Sequence, residues 1–237
     1  MMRRIVLALT ASAILLCAVP ARAAIAFVQQ TTCFGNDATC TFGSAMGASN
    51  HILVAAVLNT QVDTGSVTGV TNGVTTLVGP TDDAGTGFRG YVFCFQGDGS
   101  DTAFVLTTSA SAVARVAAAE VSGATCTVDG TGSDVSDGTT HQVAVTTTVD
   151  GAFCAALVQS NSTADFTAAG STTPMPADNT EINTIAQGGY TTVATAGAGA
   201  LDWNSAASET ILAIGACVQP AAVAGGNAKA LLLMGVG

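Results

Sequence analysis

The sequence predicts an all-β chain, an antiparallel β-sandwich behind a cleavable leader, and three observations carry that expectation. Short apolar or alternating runs recur between clusters of Gly, Asn, Asp and Ser, the punctuation of strands joined by turns. Charged residues make up only 9% of the 237, against about a quarter in ordinary globular domains. The polar character therefore rests on Thr, Ser, Asn and Gln, which suit pleated surfaces. The N-terminus, finally, is built like an export signal.

Arg3 and Arg4 form a positive start, Ile5 to Val19 an apolar run, and Ala21-Arg22-Ala23 a small-x-small cleavage site. The run falls short of the roughly 20 residues that cross a bilayer comfortably. Residues 1–23 are thus read as a signal peptide, with the mature chain starting at Ala24 in an oxidising compartment, periplasmic, extracellular or on the cell surface. Cys17 lies in this segment, but lipid attachment wants a small residue before the cysteine and Leu16 stands there, so soluble export is expected.

Residues 24–220 are assigned to one β-sandwich domain. Strands are expected at Ala24–Gln29, Ile52–Leu58, Val67–Thr71, Val74–Val78, Gly90–Phe95, Thr102–Thr107, Val113–Val121, Gln142–Val149, Ala152–Val158, Thr180–Ala186, Tyr190–Thr195 and Thr210–Val218. Ile52–Leu58, apolar on both faces, should be central. Asn72-Gly73 signals a hairpin, since a type I′ turn needs positive φ at both central positions. Ala112–Glu120 is alanine-rich, which favours a helix, but no cap precedes it and Ser122-Gly123 ends it, so a strand is expected. Ser171–Asp178, with Pro174 and Pro176, reads as a loop. No internal repeat is evident. Residues 221–237 are expected to form an apolar tail or a last edge strand, and Ala230–Met234 is too short to span a membrane.

Cleavage at Ala23 removes three of the six basic residues and none of the sixteen acids, leaving only Arg89, Arg115 and Lys229 positive. Without a cation cluster to displace counterions, nucleic acid is excluded as a partner. The six remaining cysteines, Cys33, Cys40, Cys94, Cys126, Cys154 and Cys217, allow 15 pairings. Cys33 and Cys40 flank the turn-prone Gly35-Asn36-Asp37 and should pair; Cys94–Cys126 and Cys154–Cys217 are the remaining expectation. No C-x-x-C occurs and neither histidine is near a cysteine at ligand spacing, which favours bridges over metal.

Asn50 precedes Leu53-Val54-Ala55-Ala56-Val57. Val70-Thr71-Asn72-Gly73, Tyr91-Val92-Phe93, Thr102–Leu106, Ala118-Ala119-Glu120-Val121-Ser122-Gly123 and Asp202-Trp203 follow in order. This succession resembles a group of exported jelly-roll domains from environmental bacteria and phages, most of them without assigned function. The likeness covers roughly Ala24 to Pro220 and departs at Val121, where the group usually carries tyrosine, and in its extra cysteines. It implies a single two-sheet jelly roll and no catalytic residue.

Candidate chemistry is sparse. His51 and His141 each sit where a strand begins, and no G-x-S-x-G elbow accompanies them. Among the three glutamates, Glu120 in a strand is the best-placed acid for glycoside hydrolysis, which needs two facing carboxylates. Asp129, Asp134 and Asp137, in an Asp/Gly-rich stretch expected to loop, could supply oxygens to Ca²⁺. Trp203, the only tryptophan, is a candidate sugar platform or a core residue. The expected function is a secreted, non-catalytic surface or extracellular structural protein acting by self-assembly or adhesion. Its partner is another copy of itself or an extracellular glycan. The alternatives are a calcium-assisted, lectin-like carbohydrate-binding module and, behind it, a glycoside hydrolase.

Overall fold

The computed structural model describes residues 22–223 apart from residues 84, 110–111, 163–164 and 182–183. Most of the expected leader and nearly all of the expected tail, Ala230–Met234 included, lie outside the described residues. Among the described residues all regular elements are strands and all pairings antiparallel: β1 (Ala26–Gly35), β2 (Ala38–Thr41), β3 (His51–Leu58), β4 (Gly65–Thr68), β5 (Thr75–Asp83), β6 (Phe88–Gln96), β7 (Ala103–Thr108), β8 (Ala114–Ser122), β9 (Ala124–Thr147), β10 (Ala152–Ser160), β11 (Phe166–Ala169), β12 (Thr173–Glu181), β13 (Thr184–Val193) and β14 (Gly197–Pro220). Among the described residues no helix is long and apolar enough to cross a membrane.

The strands stack in four layers. One sheet runs β1-β8-β3-β6-β5, and β2-β7-β4 covers its outer face. The opposing sheet contains β14-β10-β13-β12, with β9 along the other side of β14. The long β9–β14 pair is interrupted where Asn204↔Thr140 gives way to Glu209↔Gly138. Beyond that bend, residues 140–147 and 197–205, joined by β11, fold back across the outer face of their own sheet. There Val143, Val145, Leu201 and Trp203 pack on Cys154, Ala156, Ile211 and Ala213. Three apolar interlayers result. They explain why β8 and β10 are buried along nearly their whole length, and why Ile52–Leu58 is buried on both faces. A central strand in four layers has no solvent side to mark with alternation.

The pairing scheme occurs twice. In the first half β1 pairs β8, β8 pairs β3, β3 pairs β6 and β6 pairs β5, while β2 and β4 flank β7. In the second half residues 124–138 pair residues 209–220, these pair β10, β10 pairs β13 and β13 pairs β12; residues 140–147 and β11 flank residues 197–205. Gly69 and Gly170, both at positive φ (71° and 58°), end equivalent strands β4 and β11. The halves face each other with β3 against β10, β8 against β13, β6 against β14, β1 against β12 and β5 against β9. That pattern is a pseudo-two-fold. The expectation that the chain holds no repeat is therefore corrected: the repeat lies in strand order and pairing, not in recurring residues.

Other expectations change for local reasons. Asn72-Gly73 does not close a hairpin, because β4 pairs β7 and β5 pairs β6. It carries the crossover between layers, and Asn72 Nδ2 donates to the carbonyls of Gln96 (2.9 Å) and Gly97 (3.1 Å), fastening it. The expected loop at Ser171–Asp178 contains most of β12, an edge strand where prolines cost no ladder bond on the solvent side. The Asp/Gly stretch from Asp129 to Gly138 is part of β9 rather than a loop. The alanine run is β8, and its small side chains let sheets close in. Gly188 faces Ala117 so tightly that an added Cβ would come within 2.5 Å of the alanine Cβ.

Three disulfides join Cys33–Cys40, Cys94–Cys126 and Cys154–Cys217. The first ties β1 to β2. The second links β6 of the first half to the start of β9 in the second, so it staples the halves together. The third spans paired positions of β10 and β14.

Candidate functional site

Each acid singled out in the sequence turns out to be spent on the fold. Glu120 projects under the segment before β3 and is fully buried. Its Oε1 accepts from the Gly47 amide (2.7 Å) and from Asn50 Nδ2 (2.6 Å), and its Oε2 accepts from Gln29 Nε2. A carboxylate so placed can take no proton from a substrate. Glu209 is buried as well and accepts from Ser162 Oγ at 2.7 Å. The two carboxylates have no shared solvent-facing cleft.

Asp129, Asp134 and Asp137 do not converge. They lie along one extended strand, where about 3.3 Å per residue sets the first two roughly 16 Å apart. Each has its own task. Asp129 accepts from the amides of Thr148 (3.0 Å) and Val149 (3.2 Å) and from the Thr148 hydroxyl; Asp134 accepts from the Gln142 amide (2.9 Å); Asp137 accepts from the Thr210 hydroxyl. Asp129 and Asp134 thus occupy backbone donors on the exposed edge of residues 140–148, where unpaired amides would invite another strand. Among the described residues no group of three His, Cys, Asp or Glu side chains could hold a metal ion. The calcium expectation is corrected accordingly.

Trp203 is 1% exposed. Its ring faces inward, and a Cβ on Gly189 would lie 3.0 Å from it. It is core, and no sugar ring can reach its face. His141 is also buried, its Nδ1 3.4 Å from Ser136 Oγ and its Nε2 3.3 Å from Ser205 Oγ, with Phe166 edge-on. Burial holds its pKa below the usual value, opposed by the Asp134 and Glu209 charges. No carboxylate orients the ring, and Ser205 Oγ donates to the Ala207 carbonyl (2.7 Å), so the contact is a structural network rather than an activated nucleophile. His51 is likewise lowered by burial.

What the sequence did not single out is a groove on the solvent face of the folded-back layer. Its volume is about 480 Å³, and it is lined by Thr140, Gln142 and the buried His141 from β9, Asp202, Asn204 and the buried Trp203 from β14, and Ala169-Gly170. Strand register places Asp202 opposite Gln142 and Asn204 opposite Thr140, and Gln142 Nε2 donates to Asp202 Oδ1 at 2.7 Å. The available signal was alternation: Thr140, Gln142, Asp202 and Asn204 are the outward partners of buried His141, Val143, Leu201 and Trp203.

Comparisons with protein-family models, curated proteins and solved structures find no match.

Proposed function

We propose that this chain is an exported, non-catalytic structural protein that associates with copies of itself through the free edges of β1 and β9. One observation carries the reading: the four sheet edges are treated unequally. The edge strands β5 and β12 contain Pro80, Pro174 and Pro176, which cannot extend a ladder. The pseudo-equivalent edges, β1 and residues 124–138 of β9, contain none, and each pairs with a single strand, β8 or β14, among the described residues. They also expose large apolar side chains: Phe27, Val28 and Phe34 on β1, Val128 and Val135 on β9.

The three disulfides support an oxidising compartment, and residues 1–23 supply the export signal in this reading. We read each half as a jelly roll, with the sheet order β1-β8-β3-β6 and the partial layer β2-β7-β4 as support. The likeness to exported jelly-roll domains then applies to each half separately rather than to the chain as one unit. Light scattering on the oxidised mature chain tests the function: the mass rises with concentration, whereas a monomer at all concentrations overturns it.

A further inference from the structure

We infer that the groove over Thr140, Gln142, Asp202 and Asn204 is a binding site for a neutral polyhydroxylated ligand, a saccharide unit of an extracellular glycan. The inference does not depend on self-association. Its volume, about 480 Å³, falls within the range of small-molecule sites, about 300–1,000 Å³. Its chemistry is that of hydroxyl recognition. Asp202 Oδ1 is held by Gln142, while Asp202 Oδ2, Gln142 Oε1 and the Asn204 amide have no hydrogen-bond partner within the described residues. Acceptors and amide donors on neighbouring strands match adjacent sugar hydroxyls, which both give and take hydrogen bonds.

The first half supplies an internal control. The same layer there is β2-β7-β4, and register places Val105 beside Thr68, just before Gly69, where Asp202 stands beside Ala169, just before Gly170. Val105, Thr107 and Thr39 thus occupy the places of Asp202, Asn204 and Gln142. With those residues the first-half layer still covers a buried apolar interlayer, so the carboxylate and amides are not needed to build it. Glycine stands at the equivalent positive-φ position in both halves, Gly69 and Gly170, so the turn beside the groove is shared and the difference lies in the side chains around it.

Other ligand classes fit less well. A divalent cation needs several oxygen ligands with adequate charge, and Asp202 is the only carboxylate of the lining. An anion would meet that carboxylate with no lysine or arginine in the lining, and the one histidine there, His141, is buried with its pKa lowered.

The test uses the oxidised full chain on an array of neutral glycans, then calorimetric titration of the best-retained glycan at protein concentrations where the chain is monomeric. Asp202→Val and Gln142→Thr each copy the first half and are expected to weaken binding by about tenfold or more, with wild-type melting. Should Asp202→Val itself melt lower, the exposed Gln142→Thr decides. Retention of no neutral glycan, retention only of acidic glycans or only with calcium, or wild-type affinity in Gln142→Thr overturns the inference. Val135→Lys, an edge variant, should bind the glycan normally, which separates failure of this site from failure of self-association.

Discussion

At the residue scale, the acids and histidines of this chain act as fasteners. Glu120 is the clearest: three donors converge on one buried carboxylate, and bonds to a charged acceptor are worth about 1.5–3 kcal/mol each. Glu120→Gln turns an amide N–H₂ toward the Asn50 or Gln29 donors. The expected cost is about 2 kcal/mol, or roughly 4–8 °C in melting temperature for a chain this long; calorimetry reading less than a degree would contradict the assignment. His141 sets a pH dependence. Burial depresses its folded-state pKa below 6.5, so the unfolded chain binds the proton more readily. Stability is then full above about 6.5 and falls as the pH drops from there toward the folded value. His51 has the same sign. Melting temperatures measured from pH 7 to 5 should decline, and His141→Gln should flatten the decline. The sequence could flag these residues by type, but a carboxylate in a strand looks alike whether it faces a substrate or, like Glu120, a buried amide. Only the partners distinguish the two.

At the element scale, apolar runs and β-branched residues made most strands legible, and a both-face apolar run correctly marked β3 as central. Three things were hidden. Asn72-Gly73 has hairpin chemistry, yet it joins strands of different layers, because turn preference specifies a local bend and not the ladder beyond it. The Asp/Gly stretch reads as a loop, although it is a strand whose Asp129 and Asp134 cap the neighbouring edge of residues 140–148. The prolines at Pro174 and Pro176 read as loop markers, although they blunt an edge. Edge treatment also yields a prediction. Val135 is exposed on the proline-free edge formed by residues 124–138 of β9, and a lysine there would oppose edge pairing. Val135→Lys should shift sedimentation toward monomer while leaving the melting temperature of the monomer unchanged. Thr81→Lys on the proline-bearing β5 edge should alter neither.

At the scale of the whole molecule, two halves with one pairing scheme face each other across a pseudo-two-fold and are stapled once by disulfide. Cysteine spacing pointed to Cys33–Cys40, whereas the positions of the other four, in separate strand-like runs, did not specify which would pair. They did not foretell that Cys94–Cys126 crosses between halves. Loop length ranks the bridges: Cys94–Cys126 closes a separation of 32 residues and Cys33–Cys40 one of 7. The chain-entropy model then assigns about 4 and roughly 2.5 kcal/mol. Denaturant titration of the Cys94→Ala/Cys126→Ala variant should show the larger loss of the two, and a reversed ranking would contradict the staple. The duplication itself was illegible because a four-layer core demands apolar residues on both faces of every central strand, which erases alternation as a marker.

Hydrogen exchange followed across a dilution series bears most directly on the proposed association. Amides of β1 and of residues 124–138 should gain protection as concentration rises, with those of β5 and β12 unchanged. Protection that is independent of concentration, or that grows at β5 and β12 instead, would contradict the account.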